Sequence, residues 1–458
     1  MLAKLKLQSP VCISRFLFAV FANRPCIRYF STSKTFIAFG LLLAVALGAC
    51  KKTVSTPKIS TLTVRSISPT NGPYNTIVTI RGQKFDPIAG GTQVTLNGLP
   101  LEIQQASDSV LIVKIPRKAG KGPLIVKTKE SEVVTDTFFY QPTVHVAGTI
   151  SNNNINSAVY WKNGNPVVLG ERANANTIAA KGEDVYVGGG MTVNNEGRAV
   201  IWKNGTPNLL ESAGLKGATV VGMALTTDGW VAVGTGIDPV TLANRAIMWR
   251  NTTATILPGE LQNTVATQVM VSGSDVHVVG YTNAGQQFGQ YWINGSLTTI
   301  QQNPRPGEYT GIAMQGTDVI VSGTEQTDPV RETAVYWRNG VPVRLSSAPN
   351  TFSRASALAV WGSHVYVGGT LQDPNSTSIL FWRNTTPNFL VTSSFSSPTP
   401  SSGFFLNALS VLANGDVFCA GIEFPGGFST KAVLWINRQK TILPAITDQA
   451  TAEDVLVE

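Results

Sequence analysis

Residues 158–169 read AVYWKNGNPVVL: an apolar run closing on Tyr160-Trp161, the turn pair Asn163-Gly164, and a second short apolar run. The phrase returns as AVIWKNG at Trp202, AIMWRNT at Trp249, GQYWING at Trp292, AVYWRNG at Trp337, ILFWRNT at Trp382 and AVLWINR at Trp435. Successive tryptophans are 41, 47, 43, 45, 45 and 53 residues apart. A period in the forties with several strands per repeat marks the blades of a β-propeller.

Each repeat parses into four strands. Strand A is a run such as ATQVMVSG, strand B is DVYVGG or DVHVVG, strand C holds the Trp, and strand D is VVL, NLL, TIL or VRL. Asn-Gly or Asn-Thr joins C to D, and Gly-Ser-Asp or Asp-Gly joins A to B. The first repeat opens at VHVAG (144–148), a strand B with no strand A before it, and the chain ends on ATAEDVLVE (450–458), a strand A with nothing after it. Joining the two closes a ring of seven blades, which leaves no open sheet edge. The fold class expected is therefore all-β, with the propeller over 143–458. The blades are similar to bacterial extracellular repeats with a WxNG core, a likeness that implies no activity.

On strand C, Val159 and Trp161 point to one sheet face and Ala158 and Tyr160 to the other, as a blade buried on both faces requires. Trp161, Trp202, Trp249, Trp292, Trp337, Trp382 and Trp435 are read as the structural repeat core rather than as stacking platforms.

The A-to-B and C-to-D turns are short, whereas the B-to-C and D-to-A connections read as long and different in every blade. In an antiparallel blade the two classes emerge on opposite faces, so variation concentrates on one of them, the long-loop face, where binding residues belong. There Asp238, Asp328 and Asp373 precede prolines, and Arg198, Arg245 and Lys431 stand four residues before their tryptophans. The Asp-Pro pairs read as turn initiators; the basic trio is a candidate site for an acidic ligand.

Upstream, VRSISPTNGPYNTIVTIRGQKFD (64–86), the hairpin VTLNGLPLEI (94–103) around Asn97-Gly98, and a terminal Phe138-Phe139-Tyr140 give short strands and tight turns over about eighty residues. This stretch, 58–142, resembles the IPT/TIG family of immunoglobulin-like domains. The resemblance implies a β-sandwich acting as a spacer or interaction module, without catalysis. Spacers of this type also occur in surface lipoproteins that bind glycans.

The net charge of +8 is local. Residues 1–49 carry six basic residues and no acid, and without them 29 basic face 27 acidic residues, so nucleic acid is not an expected partner. Phe36–Ala49 is an apolar stretch of signal-peptide length. The run Leu47-Gly48-Ala49-Cys50 resembles the lipobox of bacterial lipoproteins, which implies lipidation at Cys50, a tether over 50–57 and a place in the cell envelope, in an outer membrane. The segment 1–33 is read as the product of a start site assigned too early. Cys12 and Cys26 would leave with the leader, and Cys419, in DVFCAG, reads as a buried apolar thiol.

For chemistry there is little. His145 and His277 share one strand-B slot in distant blades and cannot converge on a metal. No phosphate loop, HExxH, GxSxG or EF-hand loop is present, so no cofactor is expected. The expectation is a monomeric, non-catalytic envelope lipoprotein binding a glycan or protein through the long-loop face. The alternative is a propeller-type polysaccharide hydrolase or lyase.

Overall fold

The computed structural model describes residues 61–458 except 260–262, 284, 301–304, 329–330, 347–349, 395–402, 428 and 448. The leader, Cys50 and the tether lie outside the described residues. Residues Ile59–Glu458 form one compact unit.

Its first part is a sandwich. One sheet holds Thr63–Ser68, Ile77–Gln83, Val110–Lys114 and Glu102–Ala106; the other is built on Glu132–Tyr140, Gly122–Thr128 and Thr92–Leu96. Alternating residues such as Val78 and Ile80, Leu111 and Val113, and Leu124 and Val126 are fully buried between them. Asn97 and Gly98 form the two-residue hairpin turn with φ of 50° and 83°.

Beyond Thr143 the described residues form seven four-stranded antiparallel sheets. The innermost strands are Ala450–Val457, Ala173–Lys181, Lys216–Leu225, Thr264–Ser272, Gly307–Gln315, Phe352–Trp361 and Gly403–Val411, and each touches the next until the last meets the first. Blade 1 takes its inner strand from the C-terminus, with Val146 opposite Val455 and Ile150 opposite Ala450. The ring is thus fastened by backbone hydrogen bonds between the two ends of the propeller segment.

The repeated asparagine explains the C-to-D turns. At Asn163, Asn204, Asn251, Asn294, Asn339, Asn384 and Asn437 φ lies between 48° and 56°, the left-handed region that asparagine tolerates better than most residues. Its Oδ1 accepts an amide at the start of strand B of the same blade, and its own N–H donates to that residue's carbonyl, as at Val144, Val185 and Val276. One side chain therefore sets the turn and ties strand C to strand B.

Each repeat Trp is buried against the preceding blade: Trp249 beside Ile201 and Leu210, Trp292 beside Met248 and Leu257, Trp382 beside Tyr336 and Leu345. Trp161 does the same across the closure, beside Leu434 and Leu443, and its Nε1 donates to the Pro444 carbonyl at 2.7 Å.

On the long-loop face the structure corrects one expectation. The B-to-C connections of blades 1 and 2 are not loops: strands B and C run on as paired hairpins that turn at Asn153-Asn154 and Asn194-Asn195, all four residues with positive φ. The D-to-A connection between these blades is Arg172 alone. Alternating residues on either side of an Asn-Asn pair keep pairing, because such a pair matches the twist of a two-residue hairpin.

All seven inner strands carry a β-bulge at the same place, leaving Asn176, Val221, Thr267, Thr310, Ser356, Asn407 and Glu453 without a pairing partner. Strand B has glycine beside each bulge: Gly148, Gly189, Gly234, Gly280, Gly323, Gly369 and Gly421. A Cβ there would overlap a strand-A carbonyl oxygen. Gly280→Ala should therefore lower stability by at least about 1–3 kcal/mol, measured as a fall in the thermal unfolding midpoint; an unchanged midpoint would show that the bulge does not need the glycine.

Candidate functional site

The bulges decide what the ring encloses. All seven unpaired residues line a central cavity of about 670 Å³. Six of the seven are polar, and four reach the next blade. Asn176 Nδ2 donates to the Val220 carbonyl at 2.7 Å, Thr267 Oγ1 to Tyr309 at 2.8 Å, Asn407 Nδ2 to Ala452 at 2.9 Å, and Ser356 Oγ to Leu406. Asn407 Nδ2 also reaches Glu453 Oε2 at 3.0 Å. Next to this ring, the Asp454 carboxylate accepts from Thr177 Oγ1 at 3.0 Å and from the Ile178 amide at 2.9 Å, joining blade 1 to blade 2.

At the long-loop end, where the inner strands begin, the cavity wall is Glu308, Arg354 and Phe405. Arg354 is held by Glu332, with Nη2 to Oε1 at 2.9 Å. Phe405 is 55% exposed and packs edge-on against Phe424 at 5.5 Å. Burial pushes the Glu308 carboxyl up; Arg354 opposes this and Glu332 adds to it. Glu453 and Asp454 are likewise pushed up by burial.

The opposite end meets the sandwich. Loop 116–121 is pinned by Asn97 Nδ2, which donates to the carbonyls of Ala119, Gly120 and Lys121 at 2.8, 3.2 and 3.1 Å. The loop engages short turns of the propeller: Arg117 Nη2 donates to the Gly182 carbonyl at 2.8 Å and pairs with Glu458, while the Lys118 carbonyl accepts from the Ala413 amide at 2.7 Å. Burial pushes the Lys118 ammonium down, and the Asp454 carboxylate opposes that shift. A sandwich lysine therefore lies near a channel acid, and this loop stands across the short-turn end.

A second depression, of about 560 Å³, opens on the long-loop face over blades 1 to 3. Its walls are the two Asn-Asn hairpins and the starts of two inner strands, with Arg172, Arg198, Asn154, Asn156 and Asn174 in its lining.

The candidate residues read from sequence do not form one site. Arg198 lines this second depression and donates to the Leu210 carbonyl at 3.2 Å. Arg245 instead faces Asp238 at 3.8 Å, and Asp238 accepts the Val240 and Thr241 amides at 2.9 and 3.1 Å. Asp373 accepts the Asn375 and Ser376 amides, both at 2.7 Å, which is the geometry of a turn initiator. Asp328 stands opposite Arg331 where its strand pair ends, and its side chain lies outside the described residues. Lys431 lines a separate cavity of about 180 Å³ at the junction of blades 7 and 1. Cys419 is buried, its thiol pushed up by burial. His277 shares a 2.7 Å hydrogen bond with the Tyr291 hydroxyl in its own blade. Among the described residues no three His, Cys, Asp or Glu side chains gather as a metal site would need.

Glu308, Arg354, Phe405 and the bulge ring escaped the sequence reading. Their signal was a column: aligned on the strand-B glycine, strand A has a polar residue at the bulge in six of seven repeats.

Residues 62–146 match the IPT/TIG domain family, so the sandwich is an IPT/TIG domain. No curated protein is significantly similar to the chain. Among solved structures, the chain is similar to a structural-genomics protein of unknown function from Bacteroides thetaiotaomicron, at 14% identity and TM-score 0.42, over 88% of this chain and 99% of the other. It is also similar to an auxiliary nutrient binding protein from the same organism, at 12% identity and TM-score 0.30, over 84% and 99%. A third likeness is to the β-propeller domain of the Trilobed protease from Pyrococcus furiosus, at 9% identity and TM-score 0.42, over 67% and 95%.

A carboxyl whose folded midpoint is raised contributes stability that is present below its unfolded midpoint and lost as pH rises through the folded one. Glu308 should accordingly titrate above the ordinary carboxylate range in an NMR titration. Arg354→Gln should push it higher still, because the opposing cation goes and Glu332 is left unpaired beside it. A lower midpoint in the variant would contradict this account.

Proposed function

We propose that the chain is a non-catalytic lipoprotein of the bacterial cell envelope, anchored in the outer membrane through a lipidated Cys50. In this reading it is a monomer that faces the periplasm or the cell surface, with the IPT/TIG domain as spacer. The propeller binds a glycan or an envelope protein through its long-loop face.

The observation that carries the reading is the position of loop 116–121. The sandwich occupies the short-turn face through Arg117, Lys118 and the Glu458 terminus, whereas the depression over blades 1 to 3 has walls built from the long-loop ends of the strands and the central cavity reaches those ends at Glu308, Arg354 and Phe405. The face the sandwich covers is thus distinct from the face that carries the depression. Concave sites with an apolar wall and a few fixed polar groups are where small ligands bind, and Phe405 beside Glu308 and Arg354 supplies both kinds of group.

The same channel mouth favours a second reading, a polysaccharide hydrolase or lyase, because a carboxyl pushed up by burial is what a general acid needs. Incubating the protein with a panel of polysaccharides and envelope proteins separates the two. Retention without product release is expected; product release abolished by Glu308→Gln would replace the binding reading with the enzymatic one. For the anchor, Cys50→Ser should move the protein from the membrane to the soluble fraction and end incorporation of labelled fatty acid. Unchanged membrane association and labelling would remove the anchor from the proposal.

A further inference from the structure

The depression over blades 1 to 3 holds two arginines on the long-loop face. Five propeller arginines, Arg245, Arg305, Arg338, Arg344 and Arg354, face carboxylates. Among the described residues Arg172 and Arg198 face none, like Arg250, Arg383 and Arg438 at the short C-to-D turns, but of these only Arg172 and Arg198 line a cavity of the long-loop face, and no Asp or Glu lines it with them. Arg198 commits one amine to the Leu210 carbonyl, and Arg172, exposed, sits at a left-handed φ of 52° that makes it the whole connection between two strands. Two unpaired guanidinium groups on one concavity form a site for a planar anion, since a guanidinium presents donors in a fork that matches a carboxylate.

The remaining lining narrows the ligand. Asn154 and Asn156 add amides, which can both donate to and accept from hydroxyls, while Asn174, whose Nδ2 donates to Asn176 Oδ1 at 2.7 Å, adds an acceptor. Ile155 and Met191 supply an apolar wall. Backbone forms part of the wall too: Gly197 packs so closely on the next blade that a Cβ would lie 3.1 Å from the Gly217 Cα. A carboxylate, several hydroxyls and an apolar ring face, in a space of about 560 Å³, describe one sugar ring bearing an acid. An acidic peptide would match the arginines and amides, but a carboxylated sugar ring alone brings its acid, its hydroxyls and an apolar face together in one compact unit.

We propose that this depression is a subsite for the carboxylated sugar units of an acidic polysaccharide, with Arg172 and Arg198 gripping the carboxylate. The proposal rests on the reading that the long-loop face binds a ligand, and it specifies the ligand's charge.

The test is retention of the full chain, in detergent, on immobilised polygalacturonate, dextran sulfate, dextran and polyglutamate. Polygalacturonate should be retained most strongly, and less so as salt rises. The double variant Arg172→Ala/Arg198→Ala should lose about tenfold or more of that affinity, as expected when charged hydrogen bonds are removed. Arg438→Ala, on the short-turn face, should lose none, and Arg198→Lys should fall between, keeping the charge without the fork. Thermal melts of each variant matching the parent would separate lost binding from lost folding. Retention of dextran undisturbed by the double variant would overturn the subsite while leaving a ligand-binding face in place. Preference for dextran sulfate or polyglutamate would overturn the carboxylated sugar as its ligand. Retention of none of the four polymers, nor of any envelope protein, would overturn the binding reading itself.

Discussion

A carbonyl oxygen of every inner strand lies where the Cβ of the strand-B residue beside it would have to be, and glycine at that position makes the close approach feasible. The close approach is the bulge. Without it the inner strands would pair residue for residue, and the residues that now face the channel would have partners across the sheet. With it, one residue per blade is freed from pairing, and Asn176, Thr267, Ser356 and Asn407 use that freedom to bond the next blade. A single steric allowance thus both polarises the channel and stitches the ring from inside.

Outside this ring, cohesion comes from apolar burial. Each Trp is seated against the preceding blade, and truncating such a side chain costs about 3–5 kcal/mol. The Asn turn fixes strand C to strand B, so the indole cannot move independently of its own blade. Blade 1 differs only in borrowing its inner strand from the C-terminus. Glu458, the last residue of that strand's end of the chain, is also the residue that meets Arg117 of the sandwich. Ring closure and seating of the IPT/TIG domain therefore share one strand, and the face the sandwich occupies is fixed by the covalent path from Tyr140 to Val144.

Two environments of opposite character result on the free side. The channel holds carboxyls that burial makes reluctant to ionise, and the depression over blades 1 to 3 holds guanidinium groups without acids. Part of this was legible in sequence: Arg198 was marked by its distance from Trp202, which placed it on the variable face. Arg172 was not, because nothing in its neighbourhood indicated that the whole connection between two blades would shrink to that residue. Arg245 and Lys431 shared the same spacing from their tryptophans yet meet, respectively, Asp238 and a separate cavity. Equal spacing along a repeat fixes height on a blade, whereas partnership depends on which neighbouring loop is folded over it.

The sequence by itself determined the all-β class, the sandwich, the repeat and its closure, because those follow from local periodicity, turn chemistry and a count, each confined to a few tens of residues. It also determined that the tryptophans face a sheet surface. Only the tertiary structure decided that one residue per inner strand is expelled into a channel, that a sandwich lysine comes under an acid of the last strand, and that Arg172 and Arg198 share one concavity. These depend on residues brought together from distant parts of the chain, where register shifts of one residue and the close packing of adjacent blades set which side chains meet.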